Sequence, residues 1–220
     1  MKWKKMFLAG FLLSSGIYRS SAQKSFVEGE LIYLVTIESN NIELSKTKSS
    51  GTLTLMLKGN CVVKTLDLNT GFKNSIIYNH LKKASYSLRN IGREKVALLL
   101  DSDQLSKKQD RCSTLRVEEL TTDIQTILNF KTERAKLHCN NSNPIIIYYT
   151  QDWNISSPYL FDEFSSFHFL PLLFDINNDD GSIIHFELKK IEAKPMDNSL
   201  FEVPKDYKII TSEEYNSWQH

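Results

Sequence analysis

Six large aromatic side chains crowd one short stretch of this 220-residue chain, and their chemistry suggests a binding role. Large rings on an irregular segment can line the mouth of an apolar cavity, because they offer contact area with few side-chain rotors to immobilise. Their spacing fits neither a strand nor a helix, which predicts a loop over 153–169 with one helical turn at Tyr159–Phe164. The predicted ligand-binding residues are Trp153, Tyr159, Phe161, Phe164 and Phe167. The preferred alternative for these rings is that they plug the open side of a curved sheet as core.

No sequence motif indicates catalysis. The chain has no GxSxG elbow, no HExxH zinc pair, no P-loop and no GxGxxG fingerprint. His138 and Cys139 have the types of a base and a nucleophile, but adjacent residues of a strand point to opposite faces and are not expected to share a proton. No catalytic residue is therefore predicted, and the chain is not expected to be an enzyme.

Metal and cofactor sites are not expected either. The stretch Asp175–Gly181 superficially resembles a calcium loop, but its glycine comes one residue late and Phe186 stands where a bidentate glutamate is needed. A polar hairpin turn is the preferred interpretation. Four histidines lie in different predicted elements without the spacing of metal ligands: His80, His138, His168 and His185.

The first 22 residues have the pattern of an export signal. A positively charged start with Lys2, Lys4 and Lys5 precedes an apolar stretch of 11 residues, 6–16, and small residues precede Gln23. This stretch is too short to span a bilayer, which takes about 20 residues. The sequence therefore predicts a signal peptide over 1–22 and a single domain over 23–220 without a transmembrane segment. The predicted location is the periplasm, the outer membrane or the cell exterior.

Removal of the leader leaves a net-acidic chain. The leader holds four of the 27 Lys and Arg residues and no acid, so 23 basic residues remain against 26 acidic ones, a net charge of −3. Nucleic-acid binding needs a basic stripe to offset phosphate repulsion, and the densest basic cluster is the pair Lys189–Lys190. Nucleic acid is therefore not an expected partner.

The three cysteines, Cys61, Cys112 and Cys139, show neither a CxxC pair nor metal-ligand spacing. In an oxidising compartment one pair could bridge and leave an odd thiol. The preferred interpretation is that they are small, buried, apolar side chains. The sequence does not decide whether any pair is bridged.

The elements that must position the aromatic stretch are β-strands, because apolar and polar residues alternate along most of the chain. In the clearest case Leu53, Leu55 and Leu57 fall on one side. Strands are also predicted near 31–37, 61–68, 72–80, 83–89, 94–101, 113–119, 127–139, 143–150, 170–176 and 183–193. Turns that contain Gly and Asn separate the early strands, which predicts antiparallel hairpins.

Two strands allow finer predictions. Ile145–Tyr149 is apolar at every position, which predicts a central strand covered on both faces. In 183–193 the apolar parity shifts between Leu188 and Ile191, and one extra residue would cause that shift. A β-bulge is therefore predicted at Lys189–Lys190.

Four short segments resemble the exported Bacteroidota proteins of the GLPGLI type and their uncharacterised relatives. They are Gly29–Tyr33, Thr126–Lys131, Tyr148–Thr150 and Phe201–Tyr207, which together span nearly the whole mature chain. The name-giving motif is degraded, since FLPLLF at 169–174 lacks both glycines. The resemblance implies the curved half-barrel of the lipoprotein carrier and receptor proteins (LolA and LolB) and an envelope location. It implies no established activity.

The sequence thus predicts a mainly β domain, a single strongly curved antiparallel sheet or half-barrel of about ten strands with little helix. Such a sheet must cover its concave apolar face, and the predicted covers are the aromatic stretch and Ser212–Trp218. A mobile cover would make the concavity a site for an acyl chain, a lipid or another apolar ligand. In the alternative, the concave side is packed solid and the outer face docks an envelope protein. A cavity of several hundred Å³ would distinguish the two, since that is the scale of real pockets.

Overall fold

The computed structural model describes residues 23–38, 49–101, 114–120, 125–139, 143–155, 157–178 and 180–217. The predicted signal peptide over 1–22, Cys112 and Trp218 lie outside these ranges. The strands are β1 (Lys24–Phe26), β2 (Glu28–Glu38), β3 (Ser49–Lys58), β4 (Cys61–Leu68), β5 (Lys73–Asn79), β6 (Ala84–Ile91), β7 (Glu94–Leu100), β8 (Leu115–Leu120), β9 (Thr126–Ile127), β10 (Phe130–Lys131), β11 (Glu133–Cys139), β12 (Ile145–Ile155), β13 (Phe169–Asn177), β14 (Ile183–Ala193) and β15 (Lys208–Ile210). A short helix α1 (Ser212–Ser217) and 3₁₀ turns at Asp162–Phe164 and Asn198–Phe201 are also present.

Thirteen of these strands form one curved sheet. Its order is β15-β7-β6-β5-β4-β3-β2-β14-β13-β12-β11-β8, and β1 pairs with β12. Among the described strands, only the pairings of β15 with β7 and of β1 with β12 are parallel. Because β15 and β8 stand at opposite ends of the order, the sheet does not close into a barrel. The predicted mainly β half-barrel with little helix is confirmed, with thirteen strands where about ten were expected.

The early hairpins follow the predicted turns. Strands β2 to β7 are neighbours in chain order, and glycine occupies each tight turn between β3 and β4, β4 and β5, and β6 and β7. Gly59, Gly71 and Gly92 have φ values of 59°, 83° and 60°. Glycine adopts these positive values without steric cost, which is why the turns can be this short.

The predicted bulge in β14 is confirmed. Leu188 pairs with Tyr33 and Lys190 pairs with Ile32, so Lys189 is the extra residue. Because of this extra residue, Leu188 and Ile191 point to the same face of the sheet although they are three positions apart.

The prediction that β12 is covered on both faces is wrong. The strand lies inside the sheet between β13 and β11, but only alternate residues, Ile145, Ile147 and Tyr149, are fully buried at its start. On the other face the Arg134 guanidinium lies 5.4 Å from the centre of the Tyr148 ring. Long polar side chains of the neighbouring strand thus shield this face, and no second layer is needed.

The strand predicted over 127–139 is interrupted. Leu128 and Asn129 have φ values of 49° and 65°, and they reverse the chain between β9 and β10. These two strands form a separate two-stranded sheet, and only β11 joins the main one.

The main core lies on one face of eight neighbouring strands, β5 to β2 and β14 to β11 in sheet order. Its fully buried members include Leu31, Tyr33, Leu55, Leu137, Ile147 and Leu170. Side chains from strands far apart in the sheet meet in this one cluster, so it lies inside the curve. We call this side the concave face.

The end of the chain wraps around the β7 edge of the sheet. On the convex face, Met196 and Phe201 pack against Cys61, Val63 and Ile77. The chain then adds β15 beside β7, and Tyr215 of α1 packs against a small cluster on the concave face formed by Val96, Leu98 and Ile210. The helix contains no buried residue. The C-terminal segment therefore covers only the edge of the concave face and not its centre.

The cysteines follow the alternative in which a disulfide forms. Cys139 is disulfide-bonded, and Cys61 is a free thiol buried on the convex face. Within the described ranges, no helix has the length and apolar content needed to cross a bilayer.

Candidate binding site on the concave face

The aromatic stretch folds back against the concave face. Phe161, Phe164 and Phe167 are 4%, 0% and 6% exposed and belong to the main core, whereas Tyr159 and Trp153 are half-buried. Three of the five predicted binding residues therefore fill the concavity, and the other two keep exposed surface. We call residues 157–168 the aromatic segment.

Ring contacts fix the aromatic segment to three strands of the sheet. The Phe164 ring lies 5.2 Å from both Phe161 and Phe174, stacked on the first and edge-on to the second. Phe161 also meets Tyr33 edge-on at 6.1 Å, and Phe167 meets Tyr149 at 5.1 Å. Such geometries contribute about 0.5–1.5 kcal/mol per pair beyond burial. The centre of the concave face is therefore a packed aromatic core.

Trp153 lies apart from the other predicted residues. It is near the end of β12, where its ring meets Phe26 edge-on at 6.0 Å and the Lys24 ammonium lies 5.3 Å from its centre. These partners belong to β1, which pairs with β12 in parallel. Trp153 thus fastens the start of the domain to the sheet.

A buried polar cluster holds the middle of the aromatic segment. The Asp162 Oδ2 atom lies 2.9 Å from Lys64 Nζ and accepts a hydrogen bond from the Tyr78 hydroxyl at 3.1 Å. The Lys64 and Asp162 side chains are only 12% and 14% exposed. Burial, together with the negative charge of Asp162, raises the pKa of Tyr78, so this phenol remains a hydrogen-bond donor. We call these three residues the Asp162 anchor.

The Asp162 anchor was not predicted from the sequence, although β4 carries a signal for it. Val62, Lys64 and Leu66 occupy successive inward positions of one strand. A lysine at an inward position needs an acid partner, because a buried unpaired charge is very costly. The pattern could not name that partner, since Asp162 is 98 positions away in the chain.

A cleft opens beside the aromatic segment at the β5–β6 hairpin. It has a volume of about 280 Å³ and is lined by Tyr78, Asn79, His80, Lys83, Ala84, Ser85 and Tyr159. The Tyr159 ring stacks on Tyr78 at 5.5 Å and forms one wall. We call this space the first cleft. Its aromatic wall and small floor residues suit a flat ring or a short apolar chain.

At β6 the concave face becomes polar, before it turns apolar again at Val96 and Leu98 of β7. Tyr78 of β5 pairs with Ser85 of β6, and Ile76 pairs with Ser87. A second cleft of about 400 Å³ lies at the opposite end of these strands, lined by Gly71, Phe72, Lys73, Asn74, Arg89 and Asn90. The two clefts thus lie at opposite ends of the β5–β6 pair, where apolar inward side chains on β5 give way to serines on β6.

The residues considered for catalysis are not brought together. His138 is on the outer face of β11 with its Nε2 atom 2.8 Å from Glu118 Oε2, whereas the disulfide-bonded Cys139 is buried beside the aromatic segment. The prediction that they do not share a proton is confirmed.

The stretch that resembled a calcium loop is a polar turn. Its Asp180 carboxylate accepts hydrogen bonds from the backbone N–H and the hydroxyl of Ser182, which lower the pKa of Asp180. Among the described residues, no group of three or more His, Cys, Asp or Glu has the geometry to hold a metal ion.

The fold and its site define a class: an open β half-barrel with an aromatic-filled concave face and shallow clefts at its margin. No family model matches the chain, and no curated protein does. Membership of the GLPGLI-type family therefore stays a prediction from the sequence.

Solved structures align with the chain at low identity. An uncharacterized conserved protein from Thermus thermophilus has 6% identity and a TM-score of 0.48, over 82% of this chain and 90% of that one. A LolA superfamily protein from Nitrosomonas europaea has 7% identity and a TM-score of 0.40, over 81% and 91%. A chain of the Pseudomonas aeruginosa MucA/MucB complex has 9% identity and a TM-score of 0.43, over 83% of this chain and 58% of that one. These similarities concern the course of the backbone, and they assign no function to this chain.

Proposed function

We propose that this protein is an exported, non-enzymatic envelope protein that binds the apolar part of a ligand in the first cleft. The observation that carries the proposal is the first cleft itself, an open space of about 280 Å³ walled by the stacked rings of Tyr78 and Tyr159. Stacked tyrosines offer a rigid apolar surface with a polar edge, which is typical of ligand sites. An apolar ring or the end of an acyl or lipid chain fits this chemistry.

The leader and the disulfide support the location. The leader predicts export, and a disulfide at Cys139 is typical of an oxidising compartment such as the periplasm or the cell exterior. The resemblance to GLPGLI-type proteins implies the same location. These features agree with each other although they lie in different parts of the chain.

The size of the first cleft limits the ligand. Small-molecule pockets usually have about 300–1,000 Å³, so a cleft of about 280 Å³ accepts one short apolar group while the aromatic segment stays in place. A longer chain would need the space now filled by Phe161 and Phe164. It could enter only if the Asp162 anchor opened.

Fluorescence of N-phenylnaphthylamine, a neutral apolar probe, tests the proposal on the mature protein. We expect saturable binding that Tyr159→Ala weakens about tenfold, because half of the aromatic wall is lost. Ser85→Leu, which fills the cleft from the sheet side, should weaken it similarly. Ile209→Ala, which removes an exposed apolar side chain outside both clefts, is the matched control and should leave binding unchanged. Equal affinity in all four proteins would overturn the assignment of the site.

Native mass spectrometry of protein purified from its own envelope, followed by organic extraction, identifies the natural ligand. A co-purifying acyl or other apolar species that Tyr159→Ala loses would support the binding role. A clean apo mass together with no probe binding would contradict it.

The packed aromatic core favours a second candidate function. Because Phe161, Phe164 and Phe167 fill the centre of the concave face, the domain could instead act as a rigid module that docks another envelope protein on its outer face. The two functions differ in one measurement. A docking module binds no apolar probe and forms a stoichiometric complex with a partner protein that survives Tyr159→Ala.

A further inference from the structure

The second cleft carries an exposed aromatic ring. Phe72 is 52% exposed, and among the described aromatic residues it alone belongs to the exposed class. Its ring makes no stacking, edge-on or cation contact with any described residue. Apolar rings in a folded chain are normally buried, so an exposed ring inside a concave space of about 400 Å³ is a candidate contact for a ligand.

The charged side chains that line this cleft are both cationic. They are Lys73 and Arg89, and no carboxylate lines the cleft with them. The Lys73 ammonium is paired with Asp67 at 2.8 Å, which leaves Arg89 as the cation without an acid partner in the described part of the chain. This local excess of positive charge lies on a mature chain with a predicted net charge of −3. An anionic group would therefore be attracted to the cleft.

The guanidinium of Arg89 is held in place and is not saturated. Its Nε atom donates to Ser87 Oγ at 3.3 Å, its Nη1 atom donates to the Tyr215 hydroxyl at 2.9 Å, and its centre lies 5.2 Å from the Tyr215 ring. These bonds use two of the five N–H donors of an arginine. A planar guanidinium fixed by its neighbours is well suited to a carboxylate, sulfonate or phosphate, because it can offer two parallel N–H donors to one anion.

Two amides complete the polar lining. The Asn74 side-chain carbonyl accepts a hydrogen bond from Ser87 at 3.2 Å, which leaves its amide N–H groups unused among the described residues. Asn90 makes no side-chain hydrogen bond with any described residue. Both amides can donate to a ligand. The cleft therefore combines an apolar ring, a fixed cation and unused donors within one space.

We propose that the second cleft is a separate binding site for a small molecule that joins a ring to an anionic group, with the ring against Phe72 and the anion on Arg89. The site lies at the end of β5 and β6 opposite the first cleft, and it shares no lining residue with it. The two sites can therefore be occupied independently.

Two fluorescent probes that differ by one charge test the proposal. Anilinonaphthalene sulfonate carries a ring system and a sulfonate, and N-phenylnaphthylamine carries the same rings without the charge. On the natively folded mature protein we expect Arg89→Gln to weaken the sulfonate probe about tenfold, the scale of one charge-assisted bidentate contact. Phe72→Ala should have a similar effect. Arg89→Gln should leave the affinity of the neutral probe unchanged.

Matched variants separate a site from a general surface effect. Arg93→Gln removes the same charge from the neighbouring turn without touching the cleft, and Leu81→Ala removes another exposed apolar side chain; both should change the sulfonate affinity less than about twofold. Tyr159→Ala should leave sulfonate binding intact while it weakens the neutral probe. Equal losses in Arg89→Gln and Arg93→Gln, or no saturable sulfonate binding by the unmodified protein, would overturn the proposal.

The role of Arg89 in holding Tyr215 needs its own control. Tyr215→Phe removes the hydroxyl that accepts from Arg89 but keeps the ring, so it should leave sulfonate affinity unchanged if the cleft binds the anion directly. Where Arg89→Gln fails to fold, Lys73→Gln tests the same site, with an expected loss of about threefold because Lys73 is already paired with Asp67. An unchanged affinity in a folded Lys73→Gln variant would then count against the cleft.

Discussion

Two halves of one concave face are completed in different ways. Across β2, β14, β13 and β12 the inward side chains are large and apolar, and the aromatic segment packs on them. Across β6 the inward positions hold Ser85 and Ser87, and Arg89 follows them. The strands continue in one sheet with unbroken pairing from one half to the other. The change from apolar to polar side chains therefore coincides with the end of the aromatic segment and not with a break in the sheet.

The place where the cover ends is defined by two residues of the aromatic segment. Tyr159 stacks on Tyr78, and Asp162 binds Lys64 and Tyr78, so the segment reaches β4 and β5 and no further. Where the aromatic segment ends, its polar groups pair with polar groups of the sheet. On the next strand, β6, the inward side chains are small and polar, so no large apolar patch is exposed to solvent. Apolar side chains thus occupy the concave face where a segment outside the sheet covers it, the aromatic segment in one half and Tyr215 of α1 over Val96 and Leu98 in the other.

The largest expected effect tests the covered half. Phe164→Ala should lower the free energy of unfolding by about 4 kcal/mol, since it removes a fully buried ring at the centre of the core. Tyr215→Ala, which removes a half-buried ring in the other half, should cost about 1 kcal/mol. Urea unfolding with an unchanged m-value measures both. Similar losses in the two variants would mean that the halves do not differ in packing.

The next effect tests the boundary between the halves. Asp162→Ala should cost about 3 kcal/mol, because Lys64 would then be buried without its partner charge. The double variant Lys64→Met with Asp162→Leu should recover most of that loss, since no unpaired charge remains. Urea unfolding of the single and double variants gives the values. A loss of less than about 1 kcal/mol for Asp162→Ala would show that water already solvates the Asp162 anchor.

The smallest effect tests the polar half. Ser87 donates to Asn74 and accepts from Arg89 at a partly buried position, so Ser87→Ala should cost about 1 kcal/mol or less. Ser75→Ala is the matched control, because its hydroxyl bonds Thr65 at 2.9 Å on the convex face. A much larger loss for Ser87→Ala would mean that a cooperative hydrogen-bond network, and not small polar side chains alone, holds this half together.

Local features of the sequence predicted most of the fold. The bounds of β4 and β14, the glycine turns and the bulge at Lys189 depend on parity and turn chemistry within about ten residues. The cover of β12 could not be predicted in this way. Ile146 and Tyr148 were expected to be buried, but both are only half-buried, and the Arg134 guanidinium of the adjacent strand lies over the Tyr148 ring. Because Arg134 is not close to Tyr148 in the sequence, the local pattern could not reveal that contact.

The candidate sites were only partly predictable. The aromatic stretch was found from its composition, yet composition does not distinguish rings that fill a concavity from rings that border one. Phe161, Phe164 and Phe167 fill it, whereas Tyr159 borders the first cleft. Tyr78 and Lys64, which complete the site, lie on other strands and belong to no motif.

The local sequence alone specifies most of the long strands, the hairpin order of β2 to β7 and the bulge in β14, because each depends on the two-residue period and on glycine in tight turns. How far the aromatic segment reaches across the concave face, and which space it leaves open, is set by the folded chain as a whole. That outcome depends on contacts between residues as distant as Lys64 and Asp162, and the energy of such contacts has no signature in the local pattern of either residue.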